Sequence, residues 1–246
     1  MTTRLMRCAA VSHYFHRLEG EFPSIDGRLA AVTRERYRRI DRFVQLTLMG
    51  AAECARKHLL ARDCGLYLSS GVGPITSNVL VQDAIHRDSR MPMPFSFVNT
   101  LGSSACYHVA KELDLAGEAV MVARGSASFS AALTCAQADL ESGIVSQVLL
   151  GAVEECVLPA DRHRALLRLG PDVTVAEGSH WILLEHYEGN ATVVDDAHLD
   201  NADFDGYESR DAARITSFVA GHDKMQFGVA MNGPGKSALV RLRNTH

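Results

Sequence analysis

Serine and histidine side chains offer the first candidates for chemistry in this sequence. Ser126 lies in the segment 125–128, Gly-Ser-Ala-Ser, and a nucleophilic serine needs a base that accepts its proton. The segment does not follow the Gly-x-Ser-x-Gly pattern that places a serine on a sharp strand-to-helix turn. His108 and His163 are the nearest histidines in sequence, and neither belongs to a motif. Two hypotheses for Ser126 stay open: a structural residue at a turn, or the nucleophile of an acyl transferase or hydrolase.

The cysteines and glycines give no sign of a metal or a cofactor. Six cysteines stand at positions 8, 54, 64, 106, 135 and 156 without a Cys-x-x-Cys pair, so neither a zinc site nor a thioredoxin-type motif is expected. We expect reduced and mostly buried thiols, with Cys106 in the core. Residues 233–237 imitate the end of a phosphate-binding loop, but the full pattern needs glycine where Ala230 stands. We therefore predict no metal, cofactor or nucleotide.

Composition and charge narrow the class of protein further. The 246 residues, 47% apolar and 22% charged, suit one large globular domain or two small ones. A formal net charge of -4 without a basic block argues against nucleic acid as a partner. No apolar run approaches the roughly 20 residues that span a bilayer, and residues 1–16 lack a continuous signal-peptide core. The chain is therefore predicted to be cytoplasmic, with no membrane span.

Hydrophobic periodicity predicts alternating strands and helices. Apolar residues at helical spacing predict one long helix over 34–62, with the arginines at 34, 38, 39 and 42 mostly on its other, solvated side. Two prolines in the segment 91–95 argue against both a helix and a central strand there. Gly143 is expected to end a small-residue helix whose inner stripe is Phe129, Ala132, Leu133, Ala136 and Leu140. The predicted elements after the long helix are a buried strand at 66–70, helices at 75–85 and 103–113, a buried strand at 119–123, a helix from about 128 to 142 and a buried strand at 145–150.

The C-terminal part continues with strand candidates. The runs 181–185 and 191–197 flank a Tyr-Glu-Gly-Asn segment that suits a hairpin turn. Residues 201–214 are polar and predict a solvated loop or edge. Short strands at 225–230 and 238–242 flank an Asn-Gly-Pro-Gly turn. The repeated order of strand, turn and helix predicts an α/β fold with helical layers around a mostly parallel sheet.

Several segments share their order along the chain with one known family. They are Arg-Arg-Ile-Asp-Arg-Phe-Val-Gln-Leu at 38–46, Leu-Tyr-Leu-Ser-Ser-Gly-Val-Gly at 66–73, and the stretches 97–117, 132–154 and 176–185. Together, over about residues 34 to 186, they resemble the N-terminal half of β-ketoacyl synthases. The resemblance implies an α/β, thiolase-like αβα layered fold. It also implies a single ketosynthase-like domain over 1–246, with a core at 1–190 and a short strand-containing C-terminal extension at 191–246.

The same resemblance shows which catalytic groups the sequence lacks. Ketosynthases carry a nucleophilic cysteine at the turn before the small-residue helix, and matching residues 132–133 and Gly143 puts Ser126 at that position. The two catalytic histidines of the family belong to a C-terminal half that is mostly absent, and His222 does not match them. The resemblance therefore implies a subunit that is not catalytic alone. A Ser126-dependent acyl transferase or an atypical ketosynthase is the alternative.

One subgroup of the family also lacks the catalytic cysteine. The chain resembles the chain-length factors of type II polyketide systems, and most of all the short ones that accompany aryl-polyene ketosynthases. The resemblance implies a heterodimer with a full-length β-ketoacyl synthase, which an acyl carrier protein reaches through the complex. In such a pair the inactive subunit closes the far end of the partner's acyl tunnel. A homodimer and a scaffold without a role in chain length are the open alternatives.

The resemblance also assigns roles to individual residues. Ile75, Asn78 and Gln82 match the tunnel floor and share one helical face. His108 is expected to make a structural hydrogen bond. The arginines of 34–42 either form a solvated helix face or a docking patch for an acidic carrier protein. The residues matched to the dimer interface are Met93, Phe95, Phe97, Asn99, Thr100 and His108.

Overall fold

The computed structural model describes residues 5–18, 20–187, 190–193, 204, 207–222, 227–231 and 237–243. No helix in these ranges is long and apolar enough to cross a membrane. The elements in chain order are β1 (Leu5–Arg17), α1 (Asp26–Val32), α2 (Arg42–Ala55), β2 (Gly65–Ser70), α3 (Ile75–His86), α4 (Pro94–Val98), α5 (Gly102–Leu113), β3 (Ala119–Ala123), α6 (Ser128–Ser142), β4 (Gln147–Glu154), α7 (Ala160–Leu167), β5 (Ala176–Tyr187), β6 (Asn190–Val193), α8 (Arg210–Ala220), β7 (Phe227–Met231) and β8 (Ser237–Arg243).

One mixed sheet carries these strands, in the order β3-β2-β4-β5-β1-β7-β8-β6. Strand β2 pairs in parallel with β3 and β4, whereas β5 runs antiparallel to both β4 and β1. Helices α2 and α5 pack against one face of the sheet, and α6 and α8 pack against the other. The predicted α/β fold with helical layers on both faces is therefore confirmed. The prediction of a mostly parallel sheet is wrong, because among the described strands only the two pairings of β2 are parallel and the other five are antiparallel.

The packing of α2 against β5 depends on a glycine. A Cβ atom added to Gly50 would lie 2.5 Å from Trp181 Cδ1 and closer still to Ser179 Oγ. Trp181 is fully buried, and its Nε1 donates to Ser179 Oγ at 2.9 Å. Ser179 Oγ in turn donates to the carbonyl oxygen of Leu46 on α2 at 2.8 Å. Helix and strand can approach this closely because Gly50 presents no side chain.

Several sequence predictions are confirmed in detail. Helices α3, α5 and α6 and strands β2 and β4 lie close to their predicted positions, as do the C-terminal strands β7 and β8. Gly143 ends α6 in the left-handed conformation, with φ at +74°. Cys106 is buried, and all six cysteines are free thiols, of which four are buried. The predicted inner stripe of α6 is buried at Phe129, Ala132, Leu133, Ala136 and Leu140.

The predicted long helix over 34–62 is wrong at both ends, because α2 spans only Arg42–Ala55 and residues 56–62 are not helical. Helix α2 begins at Arg42, because the Asp41 side chain accepts the N–H of Val44 at 2.9 Å and caps the helix. The preceding segment is irregular and is held by Glu112, whose carboxylate accepts the backbone N–H of Arg34 and, at 2.7 Å, the hydroxyl of Tyr37. A tertiary contact therefore overrides the helical spacing there.

Two further predictions need correction around the middle of the chain. The segment 91–95 leads into the short helix α4, where Pro94 occupies the first helical position and needs no hydrogen bond for its missing N–H. Strand β3 was predicted as buried, but it lies at the edge of the sheet and its residues are half-buried or exposed. An apolar run alone does not distinguish an edge strand from a central one.

The C-terminal predictions are wrong in two places. Residues 210–220 form helix α8, although the segment 201–214 was predicted as a solvated loop or edge. The predicted hairpin of 181–185 with 191–197 does not form in the described residues, which end at 193 in the second run, because β5 pairs with β4 and β1 whereas β6 pairs with β8. The predicted turn at 232–235 and the loop-like residues 233–236 lie outside the described residues. The N-terminal strand β1 was not predicted.

Candidate partner interface and the position of Ser126

Ser126 lies in the turn between β3 and α6. Gly125, just before it, has a φ of +59°, which favours glycine. The turn is held by Ser128, whose buried hydroxyl accepts the N–H of Arg124 at 2.6 Å and donates to the carbonyl oxygen of Ser70 or Gly125, both within 2.8 Å. The predicted turn is confirmed, but the residue that organises it is Ser128, which sequence reasoning missed.

No base activates Ser126 in the part of the chain that the structure describes. Its side chain is exposed, and it makes no hydrogen bond with a histidine or a carboxylate there. His163 is buried and accepts the backbone N–H of Val157 at its Nδ1, and burial lowers its pKa. His108 lies beside Tyr37 and Tyr107, and its buried Nδ1 makes no hydrogen bond. The expected structural hydrogen bond of His108 is therefore not made by that nitrogen.

The three residues matched to the tunnel floor have different surroundings on α3. Ile75 is half-buried in the first turn. Asn78 is tied to its own helix, because its Nδ2 donates to the carbonyl oxygen of Pro74 at 3.0 Å. Gln82 is exposed and lines a cavity of about 400 Å³ between α3 and α7. Gln82 is thus the member of the set whose polar group is free to meet a ligand.

The residues matched to the dimer interface lie on and around α4, where no residue is buried. Phe95 and Phe97 are 60% and 58% exposed. Asn99 and Thr100 are half-buried, and the Thr100 hydroxyl donates to the carbonyl oxygen of Phe97 at 2.7 Å. We define the apolar surface as the exposed large apolar residues from the end of α3 to α5: Ile85, Met91, Met93, Phe95, Phe97, Val98, Leu101 and Tyr107.

An open strand edge belongs to the same region of the molecule. Within the described residues β3 pairs with β2 alone, so its other edge presents backbone N–H and C=O groups without a strand partner. Helix α5, which carries Tyr107 of the apolar surface, packs against β3. Apolar side chains and an open edge are therefore present together, as they are at surfaces that bind another chain.

Two buried carboxylates lie at the turn after β2 and the N-terminal end of α3. Glu154 accepts three hydrogen bonds, from the N–H of Gly71 at 2.6 Å and the hydroxyls of Ser209 at 2.6 Å and Ser70 at 2.9 Å. Glu155 accepts only the N–H of Thr76 at 2.9 Å, and its Oε2 is buried without a partner. Burial raises the pKa of Glu154 to about 7 and that of Glu155 to about 8.

Arg42 balances the charge of a third buried carboxylate, that of Glu177. Its guanidinium forms an ion pair with the buried Glu177, and it also donates to the carbonyl oxygen of Pro23 at 2.9 Å. The prediction that Arg42 belongs to a solvated helix face is therefore wrong, whereas Arg34, Arg38 and Arg39 are exposed. The described residues contain no group of three or more His, Cys, Asp or Glu side chains arranged to hold a metal ion.

The layered α/β sheet agrees with the thiolase-like fold of the ketosynthase class that the sequence resemblance implies. Residues 11–170 match the family model described as Beta-ketoacyl synthase, N-terminal domain. The chain belongs to this family, since the match covers more than half of its length. No curated protein matched the sequence.

Solved structures of similar fold come from the same class. The ishigamide ketosynthase/chain length factor is 20% identical with a TM-score of 0.52, over 63% of this chain and 48% of that chain. A ketosynthase in complex with its chain length factor from Xenorhabdus doucetiae is 13% identical with a TM-score of 0.57, over 95% and 99%. A type II polyketide acyl-carrier protein complex with its ketosynthase is 14% identical with a TM-score of 0.56, over 89% and 71%. This chain thus spans about half of the first structure's chain and nearly all of the second's.

Proposed function

We propose that this chain is a non-catalytic, chain-length-factor-like subunit that forms a heterodimer with a β-ketoacyl synthase and limits its acyl or polyene tunnel. The apolar surface beside the open edge of β3 carries this proposal. Exposed apolar area of this kind is costly in water, and on soluble proteins large contiguous patches mark binding sites. Two of the similar solved structures are named as a ketosynthase with its chain length factor, which supports a partner of that class.

The surroundings of Ser126 support the non-catalytic role. A serine hydroxyl is a weak nucleophile unless a neighbouring base accepts its proton, and the described residues offer Ser126 no such base. In the proposed complex the ketosynthase supplies the nucleophile, and an acyl carrier protein delivers substrate to the complex in the cytoplasm. A Ser126-dependent transferase is the competing hypothesis, and no contact of Ser126 favours it.

The first experiment is co-expression with a full-length ketosynthase, followed by size-exclusion chromatography with light scattering. We expect a stable one-to-one complex, because obligate interfaces of this kind bury upwards of roughly 2,000 Å² and are strongly apolar. Phe97→Asp should weaken the complex at least about tenfold, since it places a charge in the apolar surface. Ile144→Asp is the matched control, because Ile144 is 57% exposed but lies outside that surface. Separate peaks for the two wild-type proteins at micromolar concentration would contradict the proposal.

A second experiment separates a tunnel floor from a scaffold. A tryptophan at Gln82 or Ile75 should shorten the product of the complex, because a growing chain stops where the next two carbons meet side chains that do not move. The product lengths are measured by mass spectrometry of the extracted chains. Ile144→Trp, outside the predicted floor, should leave them unchanged. Unchanged products from both α3 variants in an intact complex would favour the scaffold hypothesis.

A further inference from the structure

A groove runs between α3 and α7. It consists of two cavities, of about 680 Å³ and about 400 Å³. Val79 and Arg162 line both of them, so the two cavities adjoin at these side chains. Each volume falls within the range of about 300 to 1,000 Å³ that is usual for small-molecule sites.

The smaller cavity has more hydrogen-bond donors than acceptors. Asp83 forms ion pairs with both Arg162 and Arg87, the latter at 3.3 Å. One carboxylate cannot neutralise two guanidinium groups, and Asp83 is the one acid among the residues that line this cavity. Gln82 and His86 add further side-chain N–H groups. A ligand group with a negative charge and acceptor oxygens would therefore complete this end of the groove.

The larger cavity has a mainly apolar character on the side formed by α3 and residues 156–158. Leu80 and Leu158 lie at its rim, where they are 58% and 46% exposed, and Val79 and Val157 lie behind them. Its acids, Glu21 and Asp26, belong to the opposite wall that leads into α1. Covering these exposed leucines with an apolar group is favourable, because it removes their apolar area from water.

We propose that this groove binds an amphipathic carboxylate. The carboxylate binds Arg162 and Arg87 in the smaller cavity, with Gln82 as an additional donor. The hydrocarbon part passes Val79 and covers Leu80 and Leu158 in the larger cavity. No residue that lines the groove belongs to the apolar surface as defined above, although Gln82 is also one of the residues matched to the tunnel floor. The inference concerns the isolated chain and does not depend on the proposed ketosynthase partner.

The test measures binding of decanoate to the isolated full chain by isothermal titration calorimetry, below the micelle concentration of the probe. We expect saturable binding, and we expect Arg162→Gln to weaken it about tenfold, because a charge-assisted hydrogen bond is lost. Arg168→Gln is the matched control, since Arg168 is exposed, loses the same charge and lies outside both cavities. 1-Decanol, which has no carboxylate, should bind more weakly than decanoate to the wild type and equally to both variants.

A second measurement keeps the test independent of the stability of the variant. Protein-observed NMR of the wild type should show decanoate-dependent shifts confined to the lining of the two cavities, which lies on α3, α7, the start of α2 and residues 21–26 and 156–158. Absence of wild-type binding, shifts confined to other elements, or equal affinity in Arg162→Gln would each overturn the proposal. Because no ketosynthase is present, such a failure leaves the proposed heterodimer untouched.

Discussion

Single side chains decide what the turn before α6 can do. Ser126 and Ser128 stand two positions apart, yet one is exposed and the other is buried with partners on three backbone groups. The sequence places both serines at a turn, but it does not distinguish them, because one acceptor of the Ser128 hydroxyl is the carbonyl oxygen of Ser70, which lies at the end of β2 and far away in sequence. Sequence reasoning therefore predicted the turn and singled out the serine that does not hold it.

The two serines provide a matched pair of variants. Ser128→Ala should lower the free energy of unfolding by about 1–3 kcal/mol, because the N–H of Arg124 and the carbonyl oxygen of the buried Ser70 each lose a partner. Ser126→Ala should change it by no more than about 0.5 kcal/mol, as surface substitutions usually do. Urea unfolding measures both values. Product formation by the complex should survive Ser126→Ala, and its loss would support the transferase hypothesis.

Helices and strands were predictable where their pattern is local. The inner stripe of α6 and the glycine that ends it follow from spacing alone, and so do the buried strands β2 and β4. Strand β1 was missed because its partners are β5 and β7, far along the chain. Helix α2 was predicted to begin too early because Asp41 and Glu112 fix the preceding segment through contacts that the spacing of apolar residues does not encode.

The contact between α2 and β5 gives a prediction at the scale of elements. Gly50→Ala should destabilise the chain by about 1–3 kcal/mol, because the new methyl group overlaps Ser179 and the fully buried Trp181. Gly27→Ala, in α1, is the control. A Cβ at Gly27 has nothing within 4 Å, so the replacement should be neutral or stabilise by up to about 1 kcal/mol. Equal melting temperatures for the two variants would contradict the close approach of α2 to β5.

At the scale of the whole molecule, buried ionisable groups tie distant segments together. Glu154 at the end of β4 binds the turn after β2 and Ser209 before α8. On the same face His13 of β1 contacts His180 of β5 and, at 2.9 Å, Thr216 of α8. Burial lowers the pKa of His13 to about 4. None of these groups was predicted as buried, because a single sequence does not show which charged residues the fold encloses.

The buried carboxyl groups and His13 make the stability of the fold depend on pH in opposite directions. The raised pKa values of Glu154 and Glu155 mean that the folded chain holds protons that the unfolded chain loses, so stability falls as pH rises from about 4.5 to about 8. The lowered pKa of His13 makes stability fall as pH drops from 6.5 towards 4. Between pH 6.5 and 8 the loss of stability that Glu154 and Glu155 cause is therefore not offset by His13. Glu155→Gln should flatten the loss of stability in that window.

Urea unfolding at pH 6.5 and pH 8 measures this effect. The exposed Glu118 provides the control, and Glu118→Gln should keep the wild-type pH dependence. If Glu155→Gln and the wild type lose equal stability across the window, then Glu155 does not hold a proton in the folded chain.

The pairing of β1 with β5 also constrains how the chain acquires its structure. The end of β1 and the start of β5 are about 160 residues apart, so at a synthesis rate of about 5–20 residues per second β1 waits roughly 8 to 30 s for its partner. During that time its apolar residues, among them Met6 and Val11 of the eventual core, lie unpaired. Contacts this distant in sequence also slow folding, because the long loop must close before the pairing stabilises anything. The nascent chain is therefore most vulnerable to aggregation through its first strand, and a chaperone that binds short extended apolar segments would protect it there.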